Sequence, residues 1–444
     1  KQGNNVYGNN EKVANDIFHS IKNPITEEII TTGNVDITDN NYVTSYKAYW
    51  SDLDSNNSTK KKRYPYQNFH NLYIKAQLLH FTSPNYLLGY SSDKMHGKIL
   101  DGCSGKGVDI TKIKNAGYAE VVGLEFDQDS VKYAISYVKS KVPRPRPQAY
   151  YVRSDLSKLI FPNQACGVTE SDKIYIKKFI PKKYYFNTMS LNFCVHYFFK
   201  DEISLRTIIQ NVNDVLQNEG YLIGTCFDGE RIYKELKNTN QIIGKTYDGE
   251  VMWKIEKKYK GVLTATEKSL GKQIDVFVGT IGNVHEEYLV NFNYFEKIMK
   301  EYGFEKILIK PFEDFYNELK NGENKMKLEK NELEKMKQFV ENMSEEEKRF
   351  SFLSSAFIFK KVENSSDKLY KKLVELMEKK TKIAKENVVI ESEKDNWFAN
   401  VNYGIQNLQK FNEVKPLVNA GDAVVFSSLL VHKTAEPIFK NNKM

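Results

Sequence analysis

The stretch Ile99-Leu100-Asp101-Gly102-Cys103-Ser104-Gly105-Lys106-Gly107-Val108-Asp109 constrains this chain more than any other. An apolar run breaks into small residues and resumes with helical spacing, which predicts a buried strand, a tight turn and a helix. A turn so poor in side chains lets a ligand approach the backbone. The alternation continues downstream. Strands are predicted at Lys98–Asp101, Glu120–Glu125, Ala149–Val152, Phe186–Leu191 and Tyr221–Phe227, and helices at Val108–Ala116, Ser130–Lys141, Asp201–Leu216 and Glu230–Leu236. Strands alternating with helices predict an α/β fold built on a doubly wound, mostly parallel sheet with flanking segments.

Beyond Tyr288 the pattern predicts a helix at Phe292–Tyr302, a strand at Lys306–Lys310 and a last strand at Ala356–Lys361. In the Lys/Glu-rich segment Lys320–Glu347, Leu333, Met336, Phe339 and Met343 recur at helical spacing, which predicts a solvated amphipathic helix. The 444 residues exceed the usual limit of a single core. Three parts are expected: residues 1–60 as a linker or the end of an upstream region, 61–362 as the catalytic domain, and 363–444 as a linker, a helix at Lys368–Lys379 and a β-rich tail. The first part holds a helical candidate at Lys12–Ile21, and the absence of an initiating methionine suggests a fragment of a longer polypeptide.

Charge at 27% and a lack of any apolar run near the length of a membrane span argue against membrane association. The four cysteines form no C-x-x-C pair, so neither a zinc knuckle nor a disulfide framework is expected, and a reducing intracellular compartment follows. The formal charge of +8 favours an anionic partner such as RNA, although many Lys-rich globular proteins share it.

Glu125 ends the second strand with a carboxylate, the chemistry that accepts hydrogen bonds from both hydroxyls of an adenosine ribose. Ser154-Asp155 ends the third, where an acceptor meets an adenine amino group. The turn is longer than G-x-G-x-x-G and lacks its helix-packing glycine, which disfavours a dinucleotide pyrophosphate.

Together with Ser190-Leu191-Asn192-Phe193-Cys194-Val195-His196-Tyr197-Phe198-Phe199, Glu287-Tyr288-Leu289-Val290 and Asn71-Leu72-Tyr73-Ile74-Lys75, the turn and carboxylates resemble the mRNA cap guanine-N7 methyltransferases. The segment from Ala14 to Thr26 resembles the region before this domain in the large multifunctional capping enzymes of giant DNA viruses. The resemblance implies a class I S-adenosylmethionine-dependent, Rossmann-like fold, S-adenosylmethionine as cofactor and the capped mRNA 5′ end as substrate. It also implies triphosphatase and guanylyltransferase domains on the same polypeptide, and a cytoplasmic setting, in a viral factory or virion, if the source is viral.

By residue, the resemblance implies that Lys75 holds the cofactor carboxylate and that the backbone from Cys103 to Gly105 passes close to the methionine moiety. Asp101 also falls on the cofactor, Asp109 orients its amino group, and Glu125 and Asp155 take the ribose and adenine. Asn192 and Tyr197 complete the methionine pocket. Asn71, Lys106, Phe193, His196 and Glu287 fall on the substrate, with Glu287 accepting from the guanine N1 and N2 hydrogens. The chain departs from the family's usual glutamine at Asn192, glycine at Cys103 and asparagine at Leu72. Ser354 stands where a late aromatic is expected, with Phe352 as its candidate replacement.

Guanine N7 carries a free lone pair and a sulfonium is a strong leaving group, so in-line transfer needs alignment and no general base is assigned. Two rival readings stay open: a class I methyltransferase with another substrate, and a degenerate RNA-binding or regulatory subunit. Retention of Lys75, Asp109, Glu125 and Asp155 weighs against the second. Lys98-Ile-Leu-Asp-Gly and Lys245-Thr-Tyr-Asp-Gly are one residue too long for the K-x-D-G of guanylyl transfer. The stretch from Ala420 to His432 looks like the distal histidine strand of phytanoyl-type 2-oxoglutarate dioxygenases, without the H-x-D that an iron site needs.

Overall fold

The computed structural model describes residues 64–89, 94–142, 146–323, 325, 326 and 328–394; the expected Lys12–Ile21 helix and the Ala420–His432 stretch lie outside them. Tyr66, Phe69, Tyr73, Ile74 and Leu78 recur at helical spacing and are all buried. They belong to α1 (Pro65–Asn68), which runs through a π-helical turn (Phe69–Ile74) into α2 (Lys75–Phe81). α3 (Pro84–Leu88) starts with Pro84 behind a Ser83 cap and stops at Gly89 in the left-handed conformation.

The alternating region then delivers β1 (Lys98–Gly102), α4 (Ile110–Asn115), β2 (Glu120–Glu125), α5 (Gln128–Lys141), β3 (Gln148–Arg153), α6 (Glu170–Phe179), β4 (Phe186–Asn192), α7 (Glu202–Val215) and β5 (Leu216–Phe227). After α8 (Gly229–Glu235), the strands β6 (Gln241–Lys245), β7 (Val251–Lys257), β8 (Gln273–Val278) and β9 (Val284–Tyr288) form a separate antiparallel sheet. The chain finishes with α9 (Phe292–Glu301), β10 (Phe304–Pro311), α10 (Phe312–Lys320), α11 (Lys330–Glu341), α12 (Glu345–Ser351), β11 (Ser354–Lys361) and α13 (Asp367–Lys394).

The main sheet has the order β10-β11-β5-β4-β1-β2-β3. Its first five strands in sequence pair in parallel, and β11 enters antiparallel between β5 and β10. Successive side chains of a strand point to opposite faces. Thus Ile99 and Val121 join the core under α1, α2 and α5, while Leu100 and Val122 join the core under α6, α7 and α9. From β1 the chain moves outward to β2 and β3, then returns to place β4 on the other side of β1. In open α/β sheets, ligands bind at the carboxyl ends of the strands where the order reverses in this way.

Two regions differ from the sequence expectation. The segment Lys320–Glu347 is broken into α11 and the start of α12, and its stripe is packed, with Val340 and Met343 buried and Leu333, Met336 and Phe339 against the core. The helix expected at Lys368–Lys379 is longer and docks on α7: Leu373 is fully buried, and Ser365 N donates to Asn213 Oδ1 at 3.2 Å. Packing on α7 thus continues past residue 362. None of the described helices is long and apolar enough to cross a membrane.

Candidate cofactor and guanine site

At the end of β1 the chain turns through Cys103, Gly105 and Gly107 with φ of +57°, +52° and +66°. Packing dictates Gly107, where a Cβ would stand 2.7 Å from Ala134 of α5. Gly105 differs. A Cβ there would meet nothing within 4 Å, so its backbone borders open space. Its N–H donates to Glu125 Oε2 at 2.8 Å, while Glu125 Oε1 accepts from Asp127 N at 2.9 Å. Each oxygen retains a lone pair for a further donor. Ser104 Oγ and Ser154 Oγ are buried without a hydrogen-bond partner.

Beneath the turn, Asp101 accepts from Ser190 Oγ at 2.6 Å, and burial followed by the neighbouring Asp109 pushes its carboxyl up to about 7. Asp109 is flanked by Lys75 Nζ at 3.1 Å and Lys112 Nζ at 2.7 Å. Burial opposes its charge, but the two ammonium groups outweigh it and hold the carboxyl at about 2. Lys75 thereby ties α2 to the turn.

Asn192 closes β4, its Oδ1 accepting from Thr225 Oγ1 at 3.3 Å, and Phe193 follows with φ +53°. The Phe193 ring stacks on the His70 imidazole at 5.8 Å and meets Phe312 edge-on at 6.2 Å. His196 lies in the 3-10 helix Val195–Lys200, 3% exposed, and neither ring nitrogen makes a hydrogen bond. Its Nδ1 is 3.6 Å from Glu287 Oε2, beyond hydrogen-bonding reach. Burial, then His285, lowers the imidazole to about 3, so it is neutral. Glu287 on β9 has 13% of its side chain exposed, and burial raises its carboxyl to about 8. Tyr197 packs edge-on to His196 at 4.2 Å. Burial, then Glu287 and more weakly Cys103 and Glu125, raises its phenol to about 12, so Tyr197 borders both halves of the site.

The mRNA (guanine-N(7))-methyltransferase domain model matches residues 34–362. The chain belongs to this family. The match starts inside the segment expected to be a linker. Relatives include the "Probable mRNA-capping enzyme" of Acanthamoeba polyphaga mimivirus, 29% identical across 71% of this chain and 28% of the relative. Another is the mRNA cap guanine-N(7) methyltransferase of Schizosaccharomyces pombe, 26% identical across 51% of this chain and 57% of the relative. The chain spans less than two thirds of either. Among solved structures, an S-adenosylmethionine-dependent methyltransferase from Clostridium acetobutylicum is 12% identical with a TM-score of 0.38, covering 67% of this chain and 96% of that one.

Of the residues expected for this family's site, Lys75, Asp101, Cys103, Gly105, Asp109 and Glu125 gather at the turn, and Phe193, His196, Tyr197 and Glu287 adjoin it. A parallel bridge between Asp228 and Val290 carries the end of β9 to the carboxyl end of β5. Asn71 sits on the π-helical turn with Nδ2 donating to Gln67 O at 2.8 Å. Asp155 already accepts from Ser157 N at 3.0 Å and Ser157 Oγ at 2.6 Å. Lys106 is exposed with its ammonium 5.5 Å from the Tyr133 ring, so its contact runs to α5 rather than to the guanine candidates. Ser354 is buried opposite Phe227, and Phe352 packs edge-on to Tyr316 at 5.3 Å, which commits that ring to the core.

Sequence reasoning missed His70, whose Nε2 lies 2.7 Å from Ser351 Oγ and which supports Phe193. The helical spacing from Tyr66 to Leu78 was the available signal. It also missed Phe126, 60% exposed beside Glu125.

Proposed function

We propose that this chain is an mRNA cap guanine-N7 methyltransferase using S-adenosylmethionine. One observation carries the reading: a partly buried Glu287 carboxyl faces the buried His196 ring, whose nitrogens lack hydrogen bonds, beside the open turn. Buried polar groups without partners are costly and mark a place where a ligand completes the bonding. Guanine is complementary. Its N1 and N2 hydrogens suit an acceptor carboxylate at Glu287, and its O6 suits one N–H of the neutral His196 imidazole. Phe193, held between His70 and Phe312, offers a ring for the base.

The turn fits the cofactor. Glu125 keeps lone pairs for ribose hydroxyls, the Gly105 backbone is open, and the Lys75–Asp109 pair supplies both signs of charge for a methionine carboxylate and amino group. S-adenosylmethionine supplies a methyl group on a sulfonium that leaves as a neutral thioether. Tyr197 and Asn192 border the space between the two halves and hold donor and guanine N7 in line. With His196 neutral and N7 unprotonated, no residue moves a proton in this step. In this reading the partners are the capped mRNA 5′ end and triphosphatase and guanylyltransferase domains of the same polypeptide, in the cytoplasm.

Methyl-labelled S-adenosylmethionine incubated with the protein and GpppA- or GpppG-ended RNA should place label on N7-methylguanosine after nuclease digestion. Binding of S-adenosylhomocysteine without any transfer to either RNA would refute the cap as substrate.

A further inference from the structure

We propose that Cys103 and Cys194 form a dithiol site under the cofactor turn, and that a small-molecule disulfide converts it to an intramolecular disulfide that closes the turn to the cofactor. Asp101 lies opposite Ser190 on adjacent parallel strands, so the chain leaving β1 at Cys103 runs beside the end of β4. There the backbone reverses at Phe193, and Cys194 folds back beneath the turn, its Sγ donating to Gly102 O at 3.7 Å. That carbonyl immediately precedes Cys103, whose side chain packs against the same core that holds Cys194. Continued by two residues, that register sets Cys103 beside Asn192, two residues before Cys194. The two sulfurs differ in access. Cys103 is half-buried at the turn, whereas Cys194 is buried in the core against which Cys103 packs.

The exchange follows that order. The Cys103 thiolate attacks one sulfur of the small disulfide, forming a mixed disulfide and releasing one thiolate. The Cys194 thiolate then attacks Cys103 Sγ, forming the Cys103–Cys194 bond and releasing the second thiolate. Two protons pass from the cysteines to the released thiolates; the protein dithiol loses two electrons and the small disulfide gains them. Burial, then Cys103 and Asp101, pushes the Cys194 thiol well above its ordinary value, so the second step is the slow one and quickens with pH. Bonding fixes the two sulfurs about 2.05 Å apart, closer than any non-bonded contact. The contraction draws the turn toward Asn192 and Phe193, across the crevice proposed above for the cofactor, and displacements of about 1 Å in such a site are costly.

The full-length chain is incubated with glutathione disulfide, mapped by mass spectrometry without reduction, and titrated with S-adenosylhomocysteine before and after dithiothreitol. The expected result is a Cys103-to-Cys194 crosslink with Cys166 and Cys226 free, an affinity at least tenfold weaker, and recovery on reduction. Cys194→Ala should bind S-adenosylhomocysteine normally when reduced and stop at one glutathionyl group on Cys103. Absence of the crosslink overturns the dithiol, and a crosslinked protein with unchanged affinity overturns the closure. Failure of the reduced protein to bind S-adenosylhomocysteine would instead overturn the cofactor reading and closure with it, while the peptide map still decides the dithiol.

Discussion

Glu287 is the residue at which the guanine reading is most exposed to test. Burial raises its carboxyl from 4.5 to about 8, and among the described residues no cation pairs with it. At about 1.4 kcal/mol per tenfold, holding the charge at this buried position costs on the order of a few kcal/mol. The folded protein keeps a proton that the unfolded chain gives up between about pH 4.5 and 8. The contribution to stability is complete below 4.5 and is lost as pH rises through 8. Glu287→Gln removes the titration, so urea denaturation should find it more stable than wild type at pH 9 and nearly equal at pH 4.5. Catalysis should move the other way. Glu287→Ala leaves two guanine donors unpaired, which costs about 2 to 4 kcal/mol, or roughly 30- to 1000-fold in kcat/KM on capped RNA. S-adenosylhomocysteine affinity should barely change. Wild-type turnover of GpppG by the alanine variant would refute the guanine assignment, and equal loss of both activities would recast Glu287 as a folding residue.

Because guanine requires the ionised carboxylate, wild-type cap affinity should rise about tenfold per pH unit up to about pH 8, with proton release visible by calorimetry in buffers of different ionisation enthalpy; a flat profile would contradict it. Glu125→Ala should weaken S-adenosylhomocysteine binding by about 1.5 to 3 kcal/mol, since it unties the Gly105 amide and, on the proposed reading, removes the ribose acceptors; unchanged affinity in a direct titration would sink the role. Asp109 is held at about 2, below its unfolded value of 3.8, so its contribution to stability is present above 3.8 and lost as pH falls through 2. Asp109→Asn should therefore be less stable by about 2 kcal/mol at pH 7 and match wild type near pH 2; parallel acid-denaturation curves would exclude this. Leu373→Ala should cost about 2 to 4 kcal/mol by chemical denaturation, because the side chain is fully buried; a neutral result would mean that α13 does not stabilise α7.

The parallel sheet was legible because β1, β2 and β4 are buried on both faces and read as short continuous apolar runs between glycine, proline and charge clusters. The second sheet was not. β8 and β9 are interrupted by Gln273, Asp275, His285, Glu286 and Glu287, since part of their surface is exposed or lines the site. Asp248-Gly249, in the Lys245-Thr-Tyr-Asp-Gly stretch that is too long for guanylyl transfer, forms the hairpin turn between β6 and β7, with Gly249 at φ +85° and Gly249 N donating to Thr246 O at 2.9 Å. Asp-Gly between two apolar strands is a strong short-range hairpin signal.

For the candidate site, what the sequence carried was the identity of groups, and what it withheld was their partners. Nothing local to His196 or Glu287 tells that they meet, because β9 is brought to the site by contacts distant in sequence, among them the Asp228–Val290 bridge. The departure at Cys103 is intelligible in the fold. A side chain at φ +57° costs about 1 to 3 kcal/mol relative to unstrained backbone, a cost that glycine escapes. Cys103 packs against the core cluster that includes Cys194, a contact that a glycine side chain cannot make. The substitution thus exchanges backbone ease for packing, and in doing so brings a second thiol within reach of the first.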